Sequence, residues 1–116
     1  MSDPIVFSLD EASAEVTKIR DSGKRPFTVR HARGSMVIEL YAPRGTDDQQ
    51  PHSQDELYFV ARGSGTFVRG EESVAFQPGD ALFVAAGVEH RFEDFTDDFE
   101  TWVVFYGPEG GELPRR

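Results

Sequence analysis

Apolar residues along this chain change their period once, near Pro26. Ahead of it, Ala12, Val16 and Ile19 recur at helical spacing behind Ser8-Leu9-Asp10-Glu11, which has the S-x-x-E form of a capping box, and Gly23 follows as a stop. The spacing predicts one short amphipathic helix over residues 9–21, its apolar positions spent on packing. From Pro26 onward the pattern becomes short β-rich runs divided by Arg33-Gly34, Pro43-Arg44-Gly45, Gly63-Ser64-Gly65, Gly70 and Pro78-Gly79-Asp80. About eight strands are predicted, near residues 26–31, 35–41, 56–62, 65–69, 72–77, 81–85, 89–93 and 99–106. Many short strands at near-regular spacing predict an all-β sandwich or barrel.

Two runs, Trp102-Val103-Val104-Phe105-Tyr106 and Ala81-Leu82-Phe83-Val84, are apolar on both parities and need cover on both faces. The interior covers one face. The helix or a second subunit must cover the other, and so small a domain with that surplus is expected to form a homodimer. The division that follows is 1–25 as an N-terminal segment with the helix, 26–106 as the β-barrel, and 107–116 as a flexible tail rich in Gly and Pro.

Composition narrows the function. The 116 residues fit one domain, and 38% hydrophobic residues with ten Phe among them suffice for a packed core. A formal net charge of −9 argues against nucleic acid, where binding depends on Lys and Arg displacing counterions. No apolar run approaches the ~20 residues that span a bilayer, and Met1-Ser2-Asp3-Pro4 carries acid where a signal peptide carries base. Membrane partners are therefore not expected, and the expected location is cytoplasmic. With no cysteine, histidine and carboxylate are the only good ligands left for a transition metal.

Such ligands occur in two stretches, Pro51-His52-Ser53-Gln54-Asp55-Glu56 and Gly87-Val88-Glu89-His90. His52, Glu56 and His90 are the candidate metal ligands, and Gln50 adds a weak amide-oxygen donor if its side chain turns inward. Two imidazoles and a carboxylate suit one divalent transition metal, Fe, Mn, Ni, Zn or Cu, with open positions for substrate. Tyr58 and Arg62 share the parity of Glu56, so they are candidate catalytic groups, a phenolic acid/base and an anion anchor; core and solvated-end roles fit them equally. His31, beside Arg30 and Arg33, reads as an ordinary surface histidine. The acidic run Glu93–Glu100 lacks the ligand spacing and central glycine of an EF-hand and reads as a solvated turn with two buried Phe.

Gln50-x-His52-x3-Glu56-x6-Gly63 resembles the first cupin motif, and Gly79-x5-Ala85-x-Gly87-x2-His90-x3-Asp94 resembles the second. The likeness spans roughly residues 26–106 and is that of a small single-domain cupin of the conserved-barrel type. It implies a cupin-like double-stranded β-helix, a jelly-roll barrel, with a metal held by two first-motif histidines, the glutamate and the second-motif histidine. By position His52 matches the second of those histidines, Glu56 the glutamate and His90 the second-motif histidine, while Gln50 falls where the first histidine stands. In the other register His52 is the first histidine and Gln54 stands in place of the second. Gly45 lies one residue too close to position 50, Ala85 replaces the usual proline and Asp94 the usual asparagine. In either register one imidazole has become an amide, so weaker metal binding is expected than from a full set. Two functions follow: a metal-dependent enzyme of dioxygenase, isomerase or lyase type acting on a small organic molecule, or a non-catalytic small-ligand-binding or sensing cupin with a degenerate or empty metal site.

Overall fold

A computed structural model describes residues 2–115. One helix, α1 (Leu9–Asp21), precedes eight strands: β1 (Phe27–Arg33), β2 (Met36–Tyr41), β3 (Asp55–Arg62), β4 (Gly65–Arg69), β5 (Glu72–Phe76), β6 (Ala81–Val84), β7 (His90–Glu93) and β8 (Glu100–Tyr106). The strands form two antiparallel sheets, ordered β1-β2-β8-β3-β6 and β5-β4-β7. The last strand lies between β2 and β3, so the barrel closes only when the C-terminal strand pairs. No helix among the described residues is long and apolar enough to cross a membrane.

Alternation along β8 explains its apolar residues on both parities. Val103 pairs with Glu39 and Tyr58 and joins the interior cluster of Tyr41, Tyr58, Phe67, Phe92 and Phe99. Trp102, one residue earlier, pairs with Leu40 and packs on the opposite face against α1, where Ala12, Val16, Leu40 and Ala42 form a second cluster. Ser8 caps α1 by accepting from the Glu11 N–H at 3.2 Å. The helix thus covers one part of the outer sheet face, while Phe59 and Phe83 farther across it remain 44% and 42% exposed.

A register shift between Val60 and Arg62 reverses the alternation at the end of β3. Val60 pairs with Thr101, but Arg62 pairs with Glu100, which itself faces α1. Arg62 Nη1 lies 3.3 Å from the Glu100 carboxylate and Nη2 lies 3.1 Å from Asp10, while Ser13 Oγ donates to Glu100 at 2.7 Å. These contacts fasten the helix to the sheet.

The tail that the composition marks as flexible is held through residue 112. Gln54 Nε2 donates to the Gly107 carbonyl at 2.9 Å, Gly110 N–H to the Ser53 carbonyl at 2.6 Å, and Glu112 N–H to Asp55 Oδ2 at 2.9 Å. Asp55, 5% exposed, also accepts from Ala86 N–H through Oδ1 at 3.0 Å. A Cβ at Gly111, where φ is +90°, would lie 2.8 Å from that carboxylate oxygen, so the close approach requires glycine. Glycine and proline set the path here; the buried carboxylate supplies the order.

Two stability outcomes follow. Val16→Asp buries an unpaired charge under α1 and is expected to lower unfolding free energy by roughly 3 kcal/mol or more in urea denaturation. Asp55→Ala strips the Ala86 and Glu112 N–H groups of their acceptor and should cost about 1–3 kcal/mol, with faster hydrogen exchange at residues 110–112.

Candidate metal centre

Between the two sheets, two imidazoles approach one carboxylate oxygen. Glu56 projects inward from β3, His90 begins β7 in the opposite sheet, and His52 lies in the loop entering β3. The Gly87 N–H donates to the His52 carbonyl at 2.8 Å, which ties the loop of the first stretch to the turn of the second. His52 Nδ1 lies 3.2 Å and His90 Nε2 3.1 Å from Glu56 Oε1, and the three ligand atoms lie within 4.8 Å of one another. Side-chain exposure is 1% for Glu56 and His90 but 33% for His52, so the cluster opens on the His52 side.

The protonation pattern shows what the cluster accommodates. His90 Nδ1 lies 2.8 Å from the Val88 carbonyl, which can only accept, so this nitrogen carries a proton. In a neutral ring Nε2 then presents its lone pair, and it faces Glu56 Oε1 and, at 3.1 Å, Gln49 Oε1. The Gln49 amide is oriented by Asp47, which takes its Nε2 at 2.5 Å and leaves Oε1 to accept the Tyr58 hydroxyl at 2.9 Å. Acceptors therefore converge, a repulsive arrangement unless a second proton or a cation lies among them. Short as they are, the imidazole contacts to Glu56 miss hydrogen-bond directions, leaving Glu56 Oε1 and His52 Nδ1 without a hydrogen-bond partner. Ligand atoms on metal bonds of about 2.0–2.2 Å lie about 3 Å apart, the spacing found here between Glu56 Oε1 and each imidazole nitrogen. The residues fit a divalent transition metal, and the donor set of imidazole, carboxylate and amide oxygen suits several of them.

Electrostatics agrees with this geometry. Burial opposes ionisation of Glu56, but polar contact with His52 and His90 and their positive charge outweigh it and hold the carboxyl at about 2. Burial works against protonated His90, yet Glu56 and the Val88 carbonyl raise its pKa above the ordinary imidazole value. Burial, then the charge of Glu56, push Tyr58 well above the usual phenol range, so it serves as a hydrogen-bond donor and not as a base.

A cavity of ≈ 410 Å³ opens from His52 and Glu56, within the range of about 300–1,000 Å³ common for small-molecule sites. Tyr58 lines it, as do Arg25, Phe27, Glu39 and Phe105. Glu39 sits on the inward parity of β2, and its carboxyl is raised to about 7, first by burial and then by Glu56, against the opposing charges of His52 and Arg25.

His52, Glu56 and His90 come together as the motif spacing predicts. The amide meeting them is that of Gln49 and not of Gln50, which is exposed, lines the same cavity and donates to the Asp48 carbonyl at 3.4 Å. Gln54, the alternative-register candidate, is occupied with the carbonyls of Ser35 and Gly107 at 2.8 and 2.9 Å. Arg62 is no anion anchor for this cavity, because the register shift turns it to the helix side. His31 lies away from the cluster, 3.1 Å from Asp3. Sequence reasoning misses Gln49 because residues 42–54 lie outside strand pairing, so no parity rule applies there. It also misses Glu39, although a lone charge in the apolar run Met36-Val37-Ile38-Glu39-Leu40-Tyr41 was a readable signal.

Comparison with known proteins agrees with the fold. Residues 37–105 match the family model described as Cupin domain. An uncharacterized protein of Streptomyces coelicolor is 36% identical over 105 residues, covering 89% of this chain and 96% of its own. KdgF from a Halomonas species superposes with a TM-score of 0.61 at 15% identity, over 68% of this chain and 74% of that one. A cupin 2 conserved barrel domain protein from Rhodopseudomonas palustris gives 0.61 at 16% identity, over 72% and 61%. A candidate mannose-6-phosphate isomerase from Ralstonia eutropha gives 0.52 at 25% identity, over 67% and 79%. With its jelly-roll strand order, its His52–Glu56–His90 cluster and these matches, the chain belongs to the cupin-domain family.

Proposed function

We propose that the cavity is a metal-dependent site for a small organic molecule, with one divalent transition metal held by His52, Glu56, His90 and the amide oxygen of Gln49. The observation that carries this reading is the convergence of His52 Nδ1, His90 Nε2 and Gln49 Oε1 about Glu56 Oε1, with Glu56 Oε1 and His52 Nδ1 buried and without a hydrogen-bond partner. When bound, such an ion polarises a substrate oxygen as a Lewis acid or offers a binding point for dioxygen.

The chain's own residues prepare that chemistry. Glu56 is ionised throughout the neutral range, and the Val88 carbonyl keeps the His90 proton on Nδ1, leaving Nε2 as the ligating atom. Tyr58 and Asp47 hold the Gln49 amide from both sides. Phe105 packs on the His52 ring at 4.8 Å between centroids, limiting water on the open side. The likeness to a candidate isomerase supports an enzyme acting on a small organic molecule. An amide where the family has an imidazole favours the second reading, a binding or sensing module whose metal is held weakly. A homodimer formed through the outer sheet face would cover Phe59 and Phe83.

Metal analysis after identical reconstitution tests the site. His90→Ala is expected to lower metal affinity by more than about 100-fold while far-UV circular dichroism stays that of the β fold, since second-layer changes alone cost about 10–100-fold. Gln49→His should tighten binding and Gln50→Ala should leave it unchanged; the reverse pattern would return the fourth position to Gln50. Because imidazole must be deprotonated to coordinate and His90 is raised, affinity should fall as pH drops from 8 to 6. Stoichiometric metal with turnover of a small substrate identifies an enzyme, and ligand retention without turnover identifies the binding module. Light scattering that shows a clean monomer across dilution would end the dimer proposal.

A further inference from the structure

One carboxyl of the cavity lies outside the metal cluster. Glu39 is flanked across the sheet by Val29 on β1 and Val103 on β8, both aliphatic, and among the described residues its environment includes no side-chain hydrogen bond. Through the register Glu39–Val103–Tyr58 it stands two strands from the metal side, about 10 Å between backbones at the usual strand spacing. A molecule that touches both ends is larger than an ion or a two-carbon acid. Arg25 stands at the same wall as a donor, and Phe27 and Phe105 offer flat apolar surfaces.

We propose that Glu39 is the specificity-determining residue of the cavity and receives the adjacent hydroxyls of a monosaccharide-sized polyhydroxy ligand. The inference rests on the reading of this cavity as a small-molecule site, but it uses none of the metal ligands. Its chemistry is complementary: a carboxylate accepts hydroxyl protons, a guanidinium donates to hydroxyl oxygens, and aromatic faces cover the carbon skeleton. A ligand without hydroxyls would leave the carboxyl desolvated and unpaired, which is how a polar site rejects an apolar analogue.

Glu39 also costs the fold stability. Its folded carboxyl is raised from 4.5 to about 7, so the native state keeps a proton that the unfolded chain releases, and stability falls as pH climbs through that window. The groups that set this are burial, Glu56 on β3, His52 in the loop and Arg25 ahead of β1. A side chain that weakens the fold and borders a cavity is a mark of selection for function.

Calorimetric titration with D-glucose, D-glucuronate and cyclohexanecarboxylate, on protein stripped with chelator and on protein reloaded with zinc, tests the assignment. Either sugar is expected to bind at least roughly tenfold more tightly than cyclohexanecarboxylate, and Glu39→Gln to remove roughly tenfold or more of that affinity with zinc content unchanged. The variant should melt higher than wild type at pH 8 and equally at pH 4, which shows that it is folded. Arg25→Ala separates the two sources, weakening glucuronate alone if the ligand is an acidic sugar and both probes equally if it is neutral. Sugar affinity unchanged in Glu39→Gln, cyclohexanecarboxylate bound as tightly as the sugars, or no sugar bound by wild type would each overturn the assignment. Sugar binding without zinc uptake would instead remove the metal reading and leave this one standing.

Discussion

A carboxylate buried between two sheets is the constraint on which the site depends. Glu56 is 1% exposed, and a charge so placed is costly unless opposite charge or hydrogen bonds reach it. The chain meets that demand with imidazoles from two distant segments, one in the loop before β3 and one at the start of β7. Each segment is then fixed by backbone hydrogen bonds: Gly87 N–H to the His52 carbonyl, Gly110 N–H to the Ser53 carbonyl, and Ala86 and Glu112 N–H to the Asp55 carboxylate. The C-terminal segment therefore takes part in shaping the metal loop. Its order comes from a buried acceptor and not from any secondary structure of its own.

The polar layer behind the cluster follows the same logic. Asp47 accepts from the Tyr41 hydroxyl at 2.5 Å, from Gln49 and from the Phe92 N–H at 2.8 Å. Its contacts join β2, the loop and β7, and they decide which end of the Gln49 amide faces His90. Burial and the charge of Asp47 hold Tyr41 in its neutral form well above the usual phenol range. An oxygen donor is thereby presented to the cluster by residues that themselves stand one layer back.

Outside the barrel, α1 and the two register shifts divide the molecule into a working interior and a supporting exterior. The shift in β1 falls between Val29 and His31, and that in β3 between Val60 and Arg62. Each turns the residues beyond it to the opposite face, which takes His31 and Arg62 out of the cavity and gives them to Asp3 and to Glu100. Glu39 departs from this economy, since it faces inward without a side-chain hydrogen bond among the described residues, and the charges of His52 and Arg25 offset its burial only in part.

Periodicity and local chemistry were legible without coordinates. The capped helix and the eight strands depend on short-range spacing, which the sequence displays directly, while the resemblance of two separate motifs to one family joined His52 and Glu56 to the distant His90. Parity put Tyr58 on the face of Glu56 and left core and cavity roles open; the side chain is fully buried in the core cluster and also borders the cavity, because β3 alternates regularly from Glu56 to Val60. Parity failed at Arg62, where one extra residue reverses the faces, and at Gln50, where an irregular loop follows no alternation and Gln49 turns inward instead. Only the tertiary structure could decide these, because a bulge and a loop path are set by distant partners, Glu100 for one and Asp47 for the other. For the same reason the sequence alone could not distinguish a fraying tail from a segment pinned to Asp55: hydrogen bonds between residues some fifty positions apart leave no local pattern.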